Sequence, residues 1–363
     1  MIRNNFGMAM FRQVKCSLMQ APQKILVIRL SSLGDILHAL PAFQSLRRSF
    51  PDARIDWLVE ERTKFILSAV PGLDRIISID TVAPRRKPLS RSSWASIADA
   101  TRALRRIRYD LSIDFQGLIK TGLLGFLSGA RTRLGFGHDL VWERPAHWFY
   151  NKTVEQAGEA THIVALNQLL ANAVGAGPAG GAMDLKVPEA MSLAVAARLE
   201  QQHLGNFAII NPGGGWPTKR WSLARYGALA ERLAIQLGMQ VVVTTGPGEE
   251  SLYQGLSANC TVVLHHFPIP FLELIPLMGH ARLFISGDTG PFHLACALGV
   301  PVVGIFGPTS PARNGPWSAR DEAVVHPLPC SYCHGRSCPT QNECMDIPVD
   351  EVYAVVLRRL EAV

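Results

Sequence analysis

Several things this chain lacks narrow its function before any motif is read. No stretch of the 363 residues is long and apolar enough to cross a bilayer as a helix. Neither a G-x-G-x-x-G after the first strand nor a Walker loop is present, which counts against dinucleotide oxidoreductases and phosphotransferases. No D-x-D triplet stands near a strand end, so any diphosphate would be stabilised by cations and helix amides rather than by an ion held there. Zinc-finger and RNA-recognition signatures are missing, as is an aromatic platform among the basic residues, so no nucleic-acid partner is expected. The first twenty-odd residues carry Arg3, Arg12 and Lys15 and no acid. Their apolar stretch is too short and interrupted for a secretory signal. Residues 1–22 are read as a disordered extension, or as the result of a start assigned upstream of Met19. Without a signal, the seven cysteines read as thiols of a reducing cytoplasm and not as a disulfide framework.

What is present is a 48% hydrophobic chain, enough to bury two cores, with strands and helices in repeated alternation. The spacing predicts strands over Lys24–Leu30, Arg54–Glu60, Asp74–Asp80 and Tyr109–Phe115. The Gly-rich stretch Ala171–Met183 reads as a linker. A second series follows with strands at Phe207–Asn211, Gln240–Thr245, Arg282–Ser286 and Pro301–Phe306 and helices at Ser222–Leu237 and Val349–Leu360. The fold class is therefore α/β, with two doubly wound, Rossmann-like domains. Their expected bounds are 23–180 and 181–348, followed by a terminal helix over 349–363.

The segment KILVIRLSSLGDILHALP (Lys24–Pro41) joins a buried-strand run to a helix through a loop that contains Gly34 and Asp35. A residue there sits at the carboxyl edge of the sheet, where open α/β folds bind ligands. Asp35 is accordingly the first choice for a catalytic base, and helix capping fits the residue equally well. In the second series, Gly287-Asp288-Thr289-Gly290-Pro291 is a strand-to-helix turn whose amides suit an anion. Asp288 and Thr289 also read as simple caps. His293 falls one turn into that helix, where a lone histidine is commonly structural. The segment IINPGGGWPTKRWS (Ile209–Ser222) ends in Lys219 and Arg220, and a cation after glycines suits a leaving phosphate. Glu249, preferred to Glu250, follows the strand Gln240–Thr245, where a carboxylate could accept ribose hydroxyls or merely face a helix dipole.

The net charge of +7 conceals a basic stretch: Arg85, Arg86, Lys87, Arg91, Arg102, Arg105, Arg106 and Arg108, against the single acid Asp99. It suits an anionic membrane face or a phosphorylated glycolipid, and an ordinary solvated helix face accounts for it as well. Arg144 has the planar guanidinium that reads carboxylates or phosphates, or pairs with Glu143. Cys330, Cys333, Cys338 and Cys344 lie close enough for a structural zinc site or for a group of reduced thiols.

Three segments carry a resemblance. SSLGDILHALPA, IDFQGLIKTG (Ile113–Gly122) and SGDTGPFHLACALGVPVVGIFGPTSP (Ser286–Pro311) resemble, in order, signatures of the lipopolysaccharide heptosyltransferases of glycosyltransferase family 9, most nearly the heptosyltransferase I type. The resemblance implies a GT-B architecture, two domains facing a central cleft, with an N-terminal acceptor domain and a C-terminal donor domain. It implies inverting, metal-independent transfer of heptose from ADP-L-glycero-D-manno-heptose to the Kdo region of lipopolysaccharide by a cytoplasmic protein peripheral to the inner membrane. Asp35 and Lys219 would be catalytic, and Gly34, Glu249, Asp288, Thr289, Gly290 and His293 would bind the donor. Arg144 would meet the acidic acceptor. Pro212 and three glycines stand where the family commonly has hydroxyl residues, so backbone amides would replace those contacts. Another nucleotide-sugar transferase or epimerase of this fold, and a non-catalytic glycolipid-binding protein, are the rival readings.

Overall fold

A computed structural model describes residues 21–86, 90–155, 161–178 and 180–362, without the side chains of 84, 85 and 91–93. Residues 1–20 of the extension expected over 1–22 lie outside the described residues, as do Lys87 and the side chains of Arg85 and Arg91. The chain divides into two compact units, the first ending at Asp184 and the second beginning at Leu185.

In the first unit β1 (Lys24–Ile28), β2 (Arg54–Glu60), β3 (Arg75–Ile79), β4 (Leu111–Asp114), β5 (Thr132–Phe136) and β6 (Lys152–Val154) form one sheet in the order β3-β2-β1-β4-β5-β6. Every pairing is parallel, with Lys24 opposite Arg54 and Ile25 opposite Leu111. Ile25, Leu26, Val27 and Ile28 are fully buried because β1 lies at the centre and is covered on both faces. Leu26 and Ile28 pack with Leu104 and Leu124 of the Arg91–Ile107 and Ile119–Leu127 helices. On the first helix, Leu33–Ser49, the Ile163–Ala173 helix packs closely, and Asn167 Nδ2 donates to the His38 carbonyl at 3.0 Å.

The second unit repeats the plan with β7 (Phe207–Asn211), β8 (Gln240–Thr245), β9 (Leu264–Pro268), β10 (Leu283–Gly287), β11 (Val302–Phe306) and β12 (Glu322–Val325). Its order is β12-β11-β10-β7-β8-β9, again all parallel. Both sheets reverse their winding direction once, between β1 and β4 and between β7 and β10. Such a switch point leaves a crevice at the carboxyl ends of the two strands, because their following helices leave on opposite faces. The terminal Val349–Glu361 helix packs on the Leu223–Leu237 helix and β11, burying Val352, Val355 and Val356.

The predicted strands at Arg54–Glu60, Phe207–Asn211 and Gln240–Thr245 are found at those bounds. One expectation is corrected at the linker: the Ile163–Ala173 helix runs through Ala171, which is fully buried, so the irregular stretch starts only after Ala173. The buried Leu166, Leu169 and Leu170, which precede the expected linker, hold that helix in the core.

The Leu223–Leu237 helix approaches the Asn259 backbone so closely that a Cβ on Gly227 would stand 2.4 Å from its carbonyl oxygen. Gly227→Ala is therefore expected to cost about 1–3 kcal/mol by overpacking, reduced by the roughly 1 kcal/mol helix propensity of alanine. Denaturant midpoints check this, and a midpoint at or above the native one would contradict the close packing.

Candidate active site

Each switch point carries a charged cluster. In the first unit the chain leaves β1 at Arg29, crosses Leu30 and Ser31, and enters the helix at Leu33 with Ser32 as its N-cap. Asp35 is the third residue of that helix. Its Oδ2 accepts both the Ser32 amide and the Ser32 hydroxyl at 2.8 Å, and its Oδ1 pairs with Arg29 Nη2 at 2.6 Å. The capping reading is thus realised in modified form: Asp35 closes a capping box from inside the first turn and is not itself the N-cap. Capping does not exhaust it, because the carboxylate remains 37% exposed while Arg29 is buried. Burial works to raise the Asp35 pKa, but the Arg29 charge and the Ser32 hydrogen bonds outweigh it and hold the group below its ordinary value. Asp35 is therefore an ionised, oriented and solvent-accessible acceptor. Gly34 is buried beside it in the same turn.

Across the switch point, the segment after β4 supplies support. Asp114 Oδ1 accepts the Gln116 and Gly117 amides at 2.8 and 3.2 Å, and its Oδ2 accepts the Tyr150 hydroxyl at 2.6 Å. Gln116 Oε1 accepts the Leu30 amide at 2.8 Å, and Arg29 Nη1 donates to the Phe115 carbonyl. Burial pushes the Asp114 pKa up despite these donors; burial likewise raises Tyr150, and the adjacent carboxylate raises it further. The D-x-Q-G residues therefore brace the loop that presents Asp35. Arg29, which sequence reasoning did not single out, orients it. Its only signal in the sequence is a cation directly after the apolar run Ile25–Ile28.

Arg144 opens the Arg144–Phe149 turn and is exposed. Glu143, its expected ion-pair partner, instead accepts the Ile119 amide at 2.7 Å, at the start of the preceding Ile119–Leu127 helix.

In the second unit Asp288 is the hub. Lys219 Nζ donates to its Oδ2 at 2.7 Å, and His293 Nε2 donates to its Oδ1 at 2.8 Å, with Asp288 and His293 both buried. Burial works to raise Asp288, but His293 and Lys219 prevail and hold it far below the ordinary carboxylate range. Thr289 is the N-cap of the Gly290–Leu298 helix, its Oγ1 accepting the Phe292 amide at 3.2 Å. Gly290 is the first residue of that helix. Gly287 is required here, since a Cβ would lie 2.8 Å from the Lys219 carbonyl. The Lys219 ammonium lies 4.3 Å from the Trp216 ring centroid, and the Arg336 guanidinium lies over the same ring. Trp216 was not foreseen.

Glu249 stands just before the Glu250–Ser257 helix, not within its first turn as expected. Its carboxylate accepts the Gly246 amide at 3.0 Å and lies 3.9 Å from Arg220. A Cβ on Gly213 would sit 2.7 Å from its Oε2, so the glycine of the Pro212–Gly215 run makes room for this carboxylate. Glu250 is exposed and accepts the Gly248 amide at 3.2 Å.

The four clustered cysteines are free thiols that line one small cavity with Thr218, Pro308 and Asn342. Burial and the neighbouring thiols push Cys344 up, while hydrogen bonding to Thr340 lowers Cys338. Among the described residues, no three His, Cys, Asp or Glu side chains are arranged to hold a metal ion. The cysteine segment is tied to the Lys219 loop by Thr218 Oγ1, which donates to the Gly335 carbonyl at 2.7 Å.

Depressed carboxyls stabilise the fold fully above the ordinary value of about 4, and that contribution is lost as pH falls toward the folded value. Asp288→Asn is therefore expected to lower Tm at neutral pH and to flatten the loss of Tm between about pH 4 and 2. Thermal melts across that range check this, and an acid slope as steep as the native one would contradict it.

Comparison with known proteins follows the same line. The sequence model of glycosyltransferase family 9 (heptosyltransferase) matches residues 97–343. Lipopolysaccharide heptosyltransferase 1 of Pseudomonas aeruginosa is 28% identical over 331 residues, 88% of each chain. Lipopolysaccharide heptosyltransferase 3 of Escherichia coli is 27% identical over 78% of this chain and 84% of its own. A solved E. coli heptosyltransferase with ADP shares the fold at a TM-score of 0.75 and 24% identity, covering 93% of this chain and 99% of its own. The fold so shared is the GT-B architecture. With a family match that runs from within the Arg91–Ile107 helix through the loops after β4, β7 and β10 to Glu343, this chain belongs to glycosyltransferase family 9.

Proposed function

We propose that the chain is an inverting heptosyltransferase that moves heptose from ADP-L-glycero-D-manno-heptose to the Kdo region of a lipopolysaccharide inner core. The heptosyltransferase relatives support the sugar and the acceptor class, and the ADP of the E. coli structure supports the nucleotide. The observation that carries the reading is the Lys219–Asp288 pair at the start of the Gly290–Leu298 helix. An ammonium has three N–H donors; Lys219 places two on Asp288, on its Oδ2 at 2.7 Å and its carbonyl at 3.4 Å, and has the third for a diphosphate. Helix-start amides at Gly290 add to it, and the two together stabilise charge that develops on the leaving ADP.

Asp35 takes the proton from the acceptor hydroxyl as that oxygen attacks the anomeric carbon. The bond from that carbon to the phosphate oxygen breaks on the opposite side, which inverts the configuration. Gly34 and Thr289 contact the donor through backbone and hydroxyl, His293 keeps Asp288 in place, and Glu249 accepts ribose hydroxyls. Arg144 meets the acidic sugar of the acceptor. Within this reading the protein works at the cytoplasmic face of the inner membrane and needs no divalent ion.

Asp35→Asn separates the catalytic reading from the capping and glycolipid-binding ones. Asparagine keeps an oxygen for the Ser32 amide and so preserves the helix start, but it has no basicity. Turnover is expected to fall about a hundredfold or more in a protein that still folds, with Tm lowered by loss of the Arg29 charge pair. Native turnover in this variant would return Asp35 to a purely structural role. Donor choice is checked by product mass with ADP-heptose against UDP-sugars, and transfer from UDP-sugars alone would refute the heptose assignment.

Activity is expected to persist in excess chelator, while Lys219→Ala weakens both donor affinity and rate. Complete loss in chelator, restored by magnesium or manganese, would contradict a metal-independent departure of ADP.

A further inference from the structure

The first unit shows an apolar stripe that its own core does not use. On the Ile119–Leu127 helix, Thr121, Gly122, Leu124 and Gly125 face inward, and a Cβ on Gly125 would stand 3.3 Å from Ile28. Ile119, Leu123 and Phe126 recur at i, i+4 and i+7 on the other side and are 41%, 39% and 49% exposed. The adjoining Arg144–Phe149 turn adds Trp148, 74% exposed, and its Phe149 ring lies 6.2 Å from that of Phe126.

Cations border the stripe. Arg133 lies 5.3 Å from the centroid of the Phe126 ring, and Arg105 Nε donates to the Leu127 carbonyl at 3.0 Å at the end of the same helix. Arg106 and Arg108 are exposed beyond it. Two nearby acids are already engaged: Glu143 on the Ile119 amide and Asp99 on Arg102. The result is an aliphatic and aromatic strip with a positive margin.

We propose that this strip, Ile119, Leu123, Phe126 and Trp148 with the Arg105–Arg108 margin, seats the protein on an anionic lipid bilayer. Aliphatic side chains enter the acyl boundary, tryptophan favours the headgroup level, and arginines are drawn to anionic headgroups. Neither signal is strong alone, and the two together make a reversible anchor. The proposal deepens the heptosyltransferase reading and rests on it for the lipid nature of the acceptor. Its test needs neither donor nor acceptor.

The full chain is sedimented with vesicles of phosphatidylethanolamine and phosphatidylglycerol, and with phosphatidylcholine alone. Preference for the anionic vesicles is expected. Leu123→Ser with Phe126→Ser, and separately Arg106→Glu with Arg108→Glu, should each lower binding about tenfold, with Tm unchanged. Added salt should erase the difference made by the arginine pair and leave that made by the apolar pair. Transfer to a short, deacylated acceptor should stay native in both variants. Absence of native binding to anionic vesicles, or native binding by both variants, would overturn the proposal. So would equal loss of transfer to the deacylated acceptor, which would make the stripe part of the acceptor site. A native dimer that the serine variant dissociates would assign the stripe to a second copy of the chain instead.

Discussion

The Arg29–Asp35 ion pair is the contact on which the first unit's chemistry depends, because it ties the candidate base to the sheet and not only to its own helix. Arg29 directly follows β1, pairs with Asp35 and also donates to the Phe115 carbonyl beyond β4. One buried guanidinium thus spans the switch point. Gln116 reinforces it from the β4 side through the Leu30 amide. A carboxylate held by a charge and two hydrogen bonds is ionised and fixed in direction, at the cost of being a weaker base than a free one. Partial exposure is what leaves it able to accept a proton.

The second unit solves a related problem with the signs exchanged. There the more buried group is the carboxylate, Asp288, and its less buried partner is the cation, Lys219. Gly287 permits the Lys219 backbone to come close, Trp216 covers the ammonium, and Thr218 anchors the loop to the cysteine segment. The glycine run that departs from the hydroxyl pattern of the resembled family acquires a reason: Gly213 yields space to Glu249. Each sheet therefore offers one ionic group on a braced loop where its strand order reverses.

Much of this was legible in the sequence and some could not be. The central strands were readable because burial on both faces leaves continuous apolar runs, as in Phe207–Asn211. Edge strands such as β6, with two exposed residues of three, and β9, with two histidines, carry no such signal. Asp35 was found because strand, loop and helix adjoin in sequence. Its partner Arg29 was missed because an arginine directly after a strand has many uses, and only the fold brings it to Asp35. Similarly, Asp288 and Lys219 were each read as local features of their own loops. Their pairing, across 69 residues of chain, is set by β7 and β10 lying side by side.

The central claim is that Arg29 holds Asp35 ionised for proton abstraction. The pH profile of kcat/KM for heptose transfer by Arg29→Gln tests it most directly, because glutamine retains a donor for the Phe115 carbonyl while removing the charge. Without that charge the Asp35 pKa rises, so the acid limb of the profile should move to higher pH, with a folded protein and a reduced plateau. An acid limb unchanged from that of the native protein would contradict the account.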